Sequence, residues 1–281
     1  MRATVITHRR GRDTGEALGR LVALAHRHEV TLRFDAEETR KHGLRPGERL
    51  ELDAGTDDDV DLCLVLGGDG TILTALRRYA GTGVPVFAVN FGEIGFLATM
   101  DPEHVEEGIE RAFLGDYDVM RLPSISAGRP SGRSVGFNDI SVHRRPGDRV
   151  ADLSYALGGE EIGRVRCDGL VVCTPAGSTG YNLANGGPVL AWGVEGYAVS
   201  FIAPHSMSAR ALVVAPGDVL TVGNRSTEDG VEVHVDGRPV TQLPPGEELA
   251  VEFARTGALL AQLPGASFYH RLRERFGRLA R

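Results

Sequence analysis

The sequence predicts an α/β domain built on a parallel sheet, then a β-rich antiparallel sandwich domain, then one amphipathic helix. Apolar strand-like runs alternate with helical periodicity in the first part, whereas from Tyr117 the chain changes to short β-rich segments punctuated by turn residues. Helical spacing returns at the end, where Phe268, Leu272, Phe276 and Leu279 stand among arginines and need a partner surface. The expected domains are residues 1–116, 117–265 and 266–281, the last packing back on the first.

Ala3 to Thr7 reads as a strand, and Asp13-Thr14-Gly15-Glu16 offers a capping box for a helix with Leu18, Leu21, Val22 and Ala25 on one face. Thr31 to Phe34 is a second strand. Residues 36 to 59 are polar, and their acidic run Asp57-Asp58-Asp59 reads as a solvated loop before the next strand. Val60 to Leu66 is an apolar strand ending in glycines, and a helix from Thr71 to Tyr79 follows. Val84 to Asn90 is continuously apolar, the pattern of a strand buried on both faces of a parallel sheet. Asp101-Pro102 supplies an N-cap and first residue for a helix to about Leu114. The β-rich part comprises segments 117–127, 134–143, 150–157, 169–174, 197–202, 218–223, 231–236 and 248–254, with turns such as Arg145-Pro146-Gly147-Asp148 and Asp236-Gly237.

Composition excludes several classes. No apolar run approaches the roughly 20 residues that span a bilayer, and the first residues do not form a secretory signal, so a soluble cytoplasmic protein is expected. A net charge of −7 with scattered basic residues argues against nucleic acid or acidic lipid as partner. Cys63, Cys167 and Cys173 contain no C-x-x-C pair and read as reduced thiols in packed strands. Lys41 is the only lysine, which rules out a Walker-type loop after it. Any triphosphate would be held by backbone amides, arginine and a metal ion.

The chemistry centres on residues 64 to 73, where a strand, a tight turn and a helix meet. Gly67, Gly68 and Gly70 can adopt angles that a Cβ obstructs and let a phosphate approach main-chain N–H groups at a helix N-terminus. Asp69 is repulsive to phosphate unless it binds Mg²⁺ or meets a hydroxyl whose proton must leave; it could equally cap the helix.

Four further clusters are polar. Asn138-Asp139 can donate to and accept from sugar hydroxyls or an adenine edge, or can form a plain turn. Residues 166 to 188 run from a strand into a Pro/Gly/Ser/Thr turn and short helix able to cradle a nucleotide, with Tyr181 offering a face for a base. Ser178 lacks the G-x-S-x-G setting of a serine hydrolase because Ala176 replaces the first glycine. His205, in Pro204-His205-Ser206-Met207-Ser208, reads as a hydrogen-bonding residue, and Val235-Asp236-Gly237-Arg238 as a hairpin turn.

Together, Gly-Gly-Asp-Gly-Thr at 67 to 71, Asn-Phe-Gly-Glu-Ile-Gly-Phe at 90 to 96, Asn-Asp at 138 to 139, the run from Asp168 to Tyr181 and Pro-His-Ser-Met-Ser at 204 to 208 resemble bacterial NAD kinases over roughly residues 60 to 275. That resemblance implies a Rossmann-like α/β N-terminal domain, a β-sandwich C-terminal domain, and NAD bound between them in a homodimer or homotetramer. It also implies transfer of the terminal phosphoryl group of ATP or polyphosphate to the 2′-hydroxyl of the adenosine ribose of NAD, with Mg²⁺ or another divalent cation. By the resemblance, Asp69 is the catalytic residue and Gly67, Gly68 and Gly70 hold phosphates. Asn138 and Asp139 engage the adenosine, Thr179, Gly180 and Tyr181 form the adenine-side wall, and Asn182 and Ala184 are further NAD-binding residues. Arg166 and Asp168 lie toward the nicotinamide.

Ala176 and Gly180 stand where the family often has Thr and Ala, which removes a hydroxyl and a methyl, and Ile94 stands where Leu is common. Two rival readings remain open. A diacylglycerol or sphingosine kinase shares the Gly-Gly-Asp-Gly-Thr turn but needs an apolar cleft, and a non-catalytic nucleotide-binding regulator would bind phosphates more easily without Asp69.

Overall fold

The computed structural model describes all residues except 56–58, 93–94, 130–131, 266 and 278–281. Asp57, Asp58, Glu93, Ile94 and Leu279, all named above, therefore lie outside the described residues. The chain forms two compact units, Met1–Arg121 with Ala258–Arg281, and Leu122–Gly257. These divisions differ from the expected 116/117 and 265/266 because two long strands, β6 (Asp118–Arg129) and β17 (Glu248–Gln262), run through them without a turn that would mark a boundary.

In the first unit, β1 (Arg2–Thr7), α1 (Gly15–Arg27), β2 (Thr31–Arg33), α2 (Ala36–His42), β3 (Leu50–Glu51), β4 (Leu62–Gly67), α3 (Asp69–Arg78), β5 (Pro85–Asn90) and α4 (Val105–Phe113) follow in order. The strands pair in parallel in the order β3-β2-β1-β4-β5, and residues Leu259 to Ala261 of β17 add to β5. Strand order reverses at β1 and β4, whose carboxyl ends therefore flank the switch point where open α/β sheets bind ligands. Every residue of β4 is buried. Leu21 and Leu24 of α1, Ile109 of α4 and Phe87 of β5 share one apolar core. The last helix, α6 (Phe268–Phe276), belongs to this unit, as expected, and its Phe276 ring lies 5.7 Å from that of Phe96.

One local expectation fails, and one element was not predicted. Thr14 precedes α1 but makes no side-chain cap, because its Oγ1 turns back to the Gly11 carbonyl. Part of the polar stretch 36–59, where no element was predicted, is α2, whose signals are all local. Asp35 accepts from Glu38 N–H at 2.9 Å, acidic residues occupy the first turn and basic ones the last, and Gly43 closes the helix at φ 58°. Glu38 is buried and accepts from Thr7 N–H, Thr7 Oγ1–H and Lys41 Nζ. The single lysine is thus engaged in a buried ion pair rather than aimed at a phosphate.

The second unit is an antiparallel sandwich. It contains β7 (Gly132–Gly136), β8 (Asp139–Arg144), β9 (Ala151–Leu157), β10 (Glu160–Cys167), β11 (Gly169–Cys173), α5 (Tyr181–Ala184), β12 (Tyr197–Ile202), β13 (Leu212–Val214), β14 (Leu220–Asn224), β15 (Val231–Val235) and β16 (Arg238–Leu243). One sheet runs β13-β12-β11-β8-β15-β16; in the other, β10, β9, β14 and the first part of β17 are neighbours. Alternate residues such as Ile140, Val142, Leu170, Val172 and Val233 from the first sheet meet Leu153, Val222 and Val251 from the second in one core. The expected segment 134–143 is two strands, and β10, β13 and β16 went unpredicted. In β10, charged residues at exposed positions mask the strand pattern, as is usual at a sheet edge. All three cysteines are buried and free. No helix among the described residues is long and apolar enough to cross a membrane.

Candidate functional site

In the first unit the candidate site is the turn between β4 and α3. Gly67, Gly68 and Gly70 do not have positive φ, so torsional freedom is not why glycine is needed here. The reason is close approach. A Cβ on Gly67 would lie 2.6 Å from the Thr71 side chain, and one on Gly68 would lie 3.2 Å from the Gly92 Cα. At Gly70 a Cβ would meet nothing within 4 Å, and the residue is exposed, which leaves the first turn of α3 open to an anion.

Asp69 does not cap its helix. Gly68 is the N-cap and Asp69 the first helical residue, with Oδ2 accepting from Phe96 N–H at 3.0 Å and Oδ1 from Leu97 N–H at 3.2 Å. Gly95 makes room, since a Cβ there would sit 3.1 Å from Asp69 Oδ1. The receiving stretch is itself held. Arg271 of α6 donates to the Phe96 carbonyl at 2.6 Å and to the Ala98 carbonyl, while Asn90 Oδ1 accepts from Gly92 N–H at 3.0 Å. Arg271 was missed by sequence reasoning because nothing in an amphipathic pattern says which arginine turns inward. At the end of β1, His8 N–H reaches the Leu66 carbonyl, so the segment Arg9-Arg10-Gly11-Arg12 begins beside the glycine turn.

In the second unit, Asn138 and Asp139 form the turn from β7 into β8, and Asp236 organises it. The Asp236 carboxylate accepts from Phe137 N–H at 3.1 Å, Asn138 N–H at 2.7 Å and Asp139 N–H at 3.3 Å. Sequence reasoning saw Asp236 as a hairpin residue only; its φ of 46° and the following Gly237 do fit that turn. Asp139 is almost fully buried, and that burial, with the Asp236 carboxylate second, pushes its pKa up to about 7. Asn138 Oδ1 is buried without a partner among the described residues.

The 174 to 188 segment packs on this turn. Thr174 Oγ1 donates to the Phe137 carbonyl at 2.5 Å and accepts from Gly177 N–H. Gly177 lies so close that a Cβ would be 2.0 Å from the Asn138 carbonyl oxygen. Asn182 is fully buried and donates to the Ser178 and Pro188 carbonyls, so it braces the segment from within. Tyr181 is 42% exposed, which leaves a ring face for a ligand. Thr179 is half-buried beside it, and Gly180 and Ala184 are exposed. Asp168 is engaged by Arg144 at 2.6 Å, and that hydrogen bond holds its carboxyl below the usual range; Arg166 is exposed. His205 is exposed, and its backbone N–H donates to the Arg166 carbonyl.

Comparison with known proteins gives a consistent result. Residues 13–117 match the ATP-NAD kinase N-terminal domain and residues 137–263 the ATP-NAD kinase C-terminal domain. The NAD kinase of Gemmatimonas aurantiaca is 34% identical, with the match covering 99% of this chain and 96% of that protein. That of Symbiobacterium thermophilum is 35% identical over 77% of this chain and 78% of the relative. Among solved structures, an Archaeoglobus fulgidus NAD kinase in complex with ATP has a TM-score of 0.73 at 27% identity, covering 100% of this chain and 99% of that one. Yeast NADH kinase complexed with NADH has a TM-score of 0.87 at 23% identity, covering 99% and 87%, and supports the fold. With both family domains matched in order and a relative this similar along nearly its whole length, the chain belongs to the NAD kinase family.

Proposed function

We propose that the protein phosphorylates NAD at the 2′-hydroxyl of its adenosine ribose, with ATP or polyphosphate as donor, to give NADP. The observation that carries this is the Asp69 carboxylate, fixed by two loop N–H groups at the first residue of a helix whose glycine turn is open to phosphate. Binding alone would not favour an anion there. A phosphoryl acceptor needs one, because its hydroxyl proton must leave as the oxygen attacks phosphorus.

In this reading Asp69 takes the 2′-hydroxyl proton, and the N–H groups of Gly67, Gly68 and Gly70 hold donor phosphates. Asn138 and Asp139 bind the adenosine, Tyr181 stacks on adenine beside Thr179, Gly180 and Ala184, and Asn182 keeps that wall in shape. Arg166 and Asp168 face the nicotinamide part. The donor set fits Mg²⁺, since Asp69 supplies a carboxylate beside the glycine turn and Mg²⁺ takes one or two carboxylates plus phosphate and water oxygens. Bound there, the ion would offset charge on the transferring phosphoryl group. Buried free thiols support a reducing compartment such as the cytoplasm, and a homodimer or homotetramer belongs to the same reading.

The relatives carry the name NAD kinase, which favours neither the lipid-kinase nor the regulator reading. The test is a coupled assay in which NAD, Mg²⁺ and either ATP or polyphosphate are supplied and NADP is read through an NADP-dependent dehydrogenase. NADP formation with one of the donors is expected. Its absence with both, from folded protein, overturns the proposal.

A further inference from the structure

The outward face of the six-stranded sheet brings together three side chains of a different chemistry. Along β15, Val231, Val233 and Val235 enter the sandwich core, so Glu232 and His234 project from the opposite face; along β8, Ile140 and Val142 do the same and leave His143 outward. The antiparallel register sets His143 directly across from Glu232, and His234 across from Ser141. One ring nitrogen of each histidine and a Glu232 oxygen all lie within 4.8 Å of one another. His234 Nε2 is 3.3 Å from Glu232 Oε2, and the two imidazoles stand edge to face with centroids 4.4 Å apart. All three residues are half-buried, so the cluster is fixed by strand pairing yet reachable from solvent.

We propose that His143, Glu232 and His234 bind a divalent transition-metal ion of the Zn²⁺ class, with solvent completing the coordination. Two neutral imidazole nitrogens and one carboxylate oxygen are a donor set that Zn²⁺ accepts in tetrahedral geometry with one position open. Bonds of roughly 2.0–2.2 Å place tetrahedral ligand atoms roughly 3.4 Å apart, so the present spacing within 4.8 Å has to contract on binding. His143 Nδ1 lies 3.4 Å from the Arg144 carbonyl, and a proton directed there leaves Nε2 as the ligand atom. Mg²⁺ prefers all-oxygen coordination and is not the ion for this site. The three cysteines are buried and offer no competing thiolate in the folded chain. The ion would clip β8 to β15, strands far apart in sequence whose other ends carry Asp139 and lead to Asp236.

The experiment uses untagged full-length protein freed of metal by chelator, without nucleotide. It is titrated with ZnCl₂ by calorimetry and with CoCl₂ by visible absorption. One ion per chain, at micromolar affinity or tighter, is expected, with low-coordinate Co²⁺ bands and no competition from excess Mg²⁺. His143→Gln and His234→Gln are each expected to weaken binding at least tenfold while keeping the metal-free melting curve. Should either fail to fold, Glu232→Gln, at a side chain 31% exposed, gives the same readout. Absence of stoichiometric binding by the wild type, or undiminished binding by the folded variants, overturns the proposal.

Discussion

Replacing Asp139 with Asn isolates what the Asn138 turn loses by holding a second carboxyl. Asp139 is 7% exposed, and its pKa of about 7 reflects burial first and the Asp236 carboxylate second. In the unfolded chain an Asp titrates near about 3.9. The folded value is the higher one, so the folded state binds the extra proton between them; stability from this group is greatest in acid and falls as pH rises through that window. About three units at 1.36 kcal/mol each give a loss of about 4 kcal/mol by pH 8, of which about 1 to 2 kcal/mol has already gone at pH 5. Asn keeps the shape and cannot ionise. Its stability relative to wild type should therefore improve by about 2 to 3 kcal/mol between pH 5 and pH 8. Urea unfolding followed by circular dichroism, at several pH values and without nucleotide, measures that difference. A difference that stays constant, or that widens toward acid, refutes the reasoning.

Four other outcomes follow from the same geometry. Asp69→Asn should fold, losing about 1 kcal/mol because its amide nitrogen faces a backbone N–H, while turnover drops about 10²- to 10⁴-fold; steady-state kinetics on the folded variant decides this. Gly177→Ala puts a methyl 2.0 Å from the Asn138 carbonyl oxygen, a backbone group that cannot swing aside, and should destabilise the protein by about 2 kcal/mol or more in thermal melts and raise the KM for NAD. Gly70→Ala meets nothing within 4 Å, so its melting temperature should hold while the KM for the phosphate donor rises; unchanged kinetics would argue against donor binding at that turn. Arg271→Met releases the Phe96 and Ala98 carbonyls and should lower kcat severalfold with little change in the KM for NAD, Arg271→Lys recovering part of the loss.

How far expectation and structure agree turns on the range of each interaction. Every strand of the parallel sheet that the sequence predicted is present, because apolar runs and their flanking glycines are local signals. Helix α2 is equally local, with cap, charge pattern and closing glycine all written in residues 35 to 43, but its polar composition carries little apolar periodicity to mark it. At the glycine turn the residues are legible in the sequence, but the backbone-angle reason is not the one the structure shows. Contact with Thr71 and Gly92, rather than left-handed backbone, requires Gly67 and Gly68. Edge strand β10 was hidden by its exposed charges.

By itself the sequence determined the two-part architecture, the family and the glycine turn, since periodicity, turn chemistry and motif order are properties of neighbouring residues. Tertiary structure alone decided where the Asp69 carboxylate points and which groups hold it. It also decided that Asp236 reaches a turn 98 positions earlier in the chain, and that two histidines and a glutamate meet across β8 and β15. Each of those contacts joins segments that packing and strand register bring together, and no short-range pattern records which side chains will then face one another.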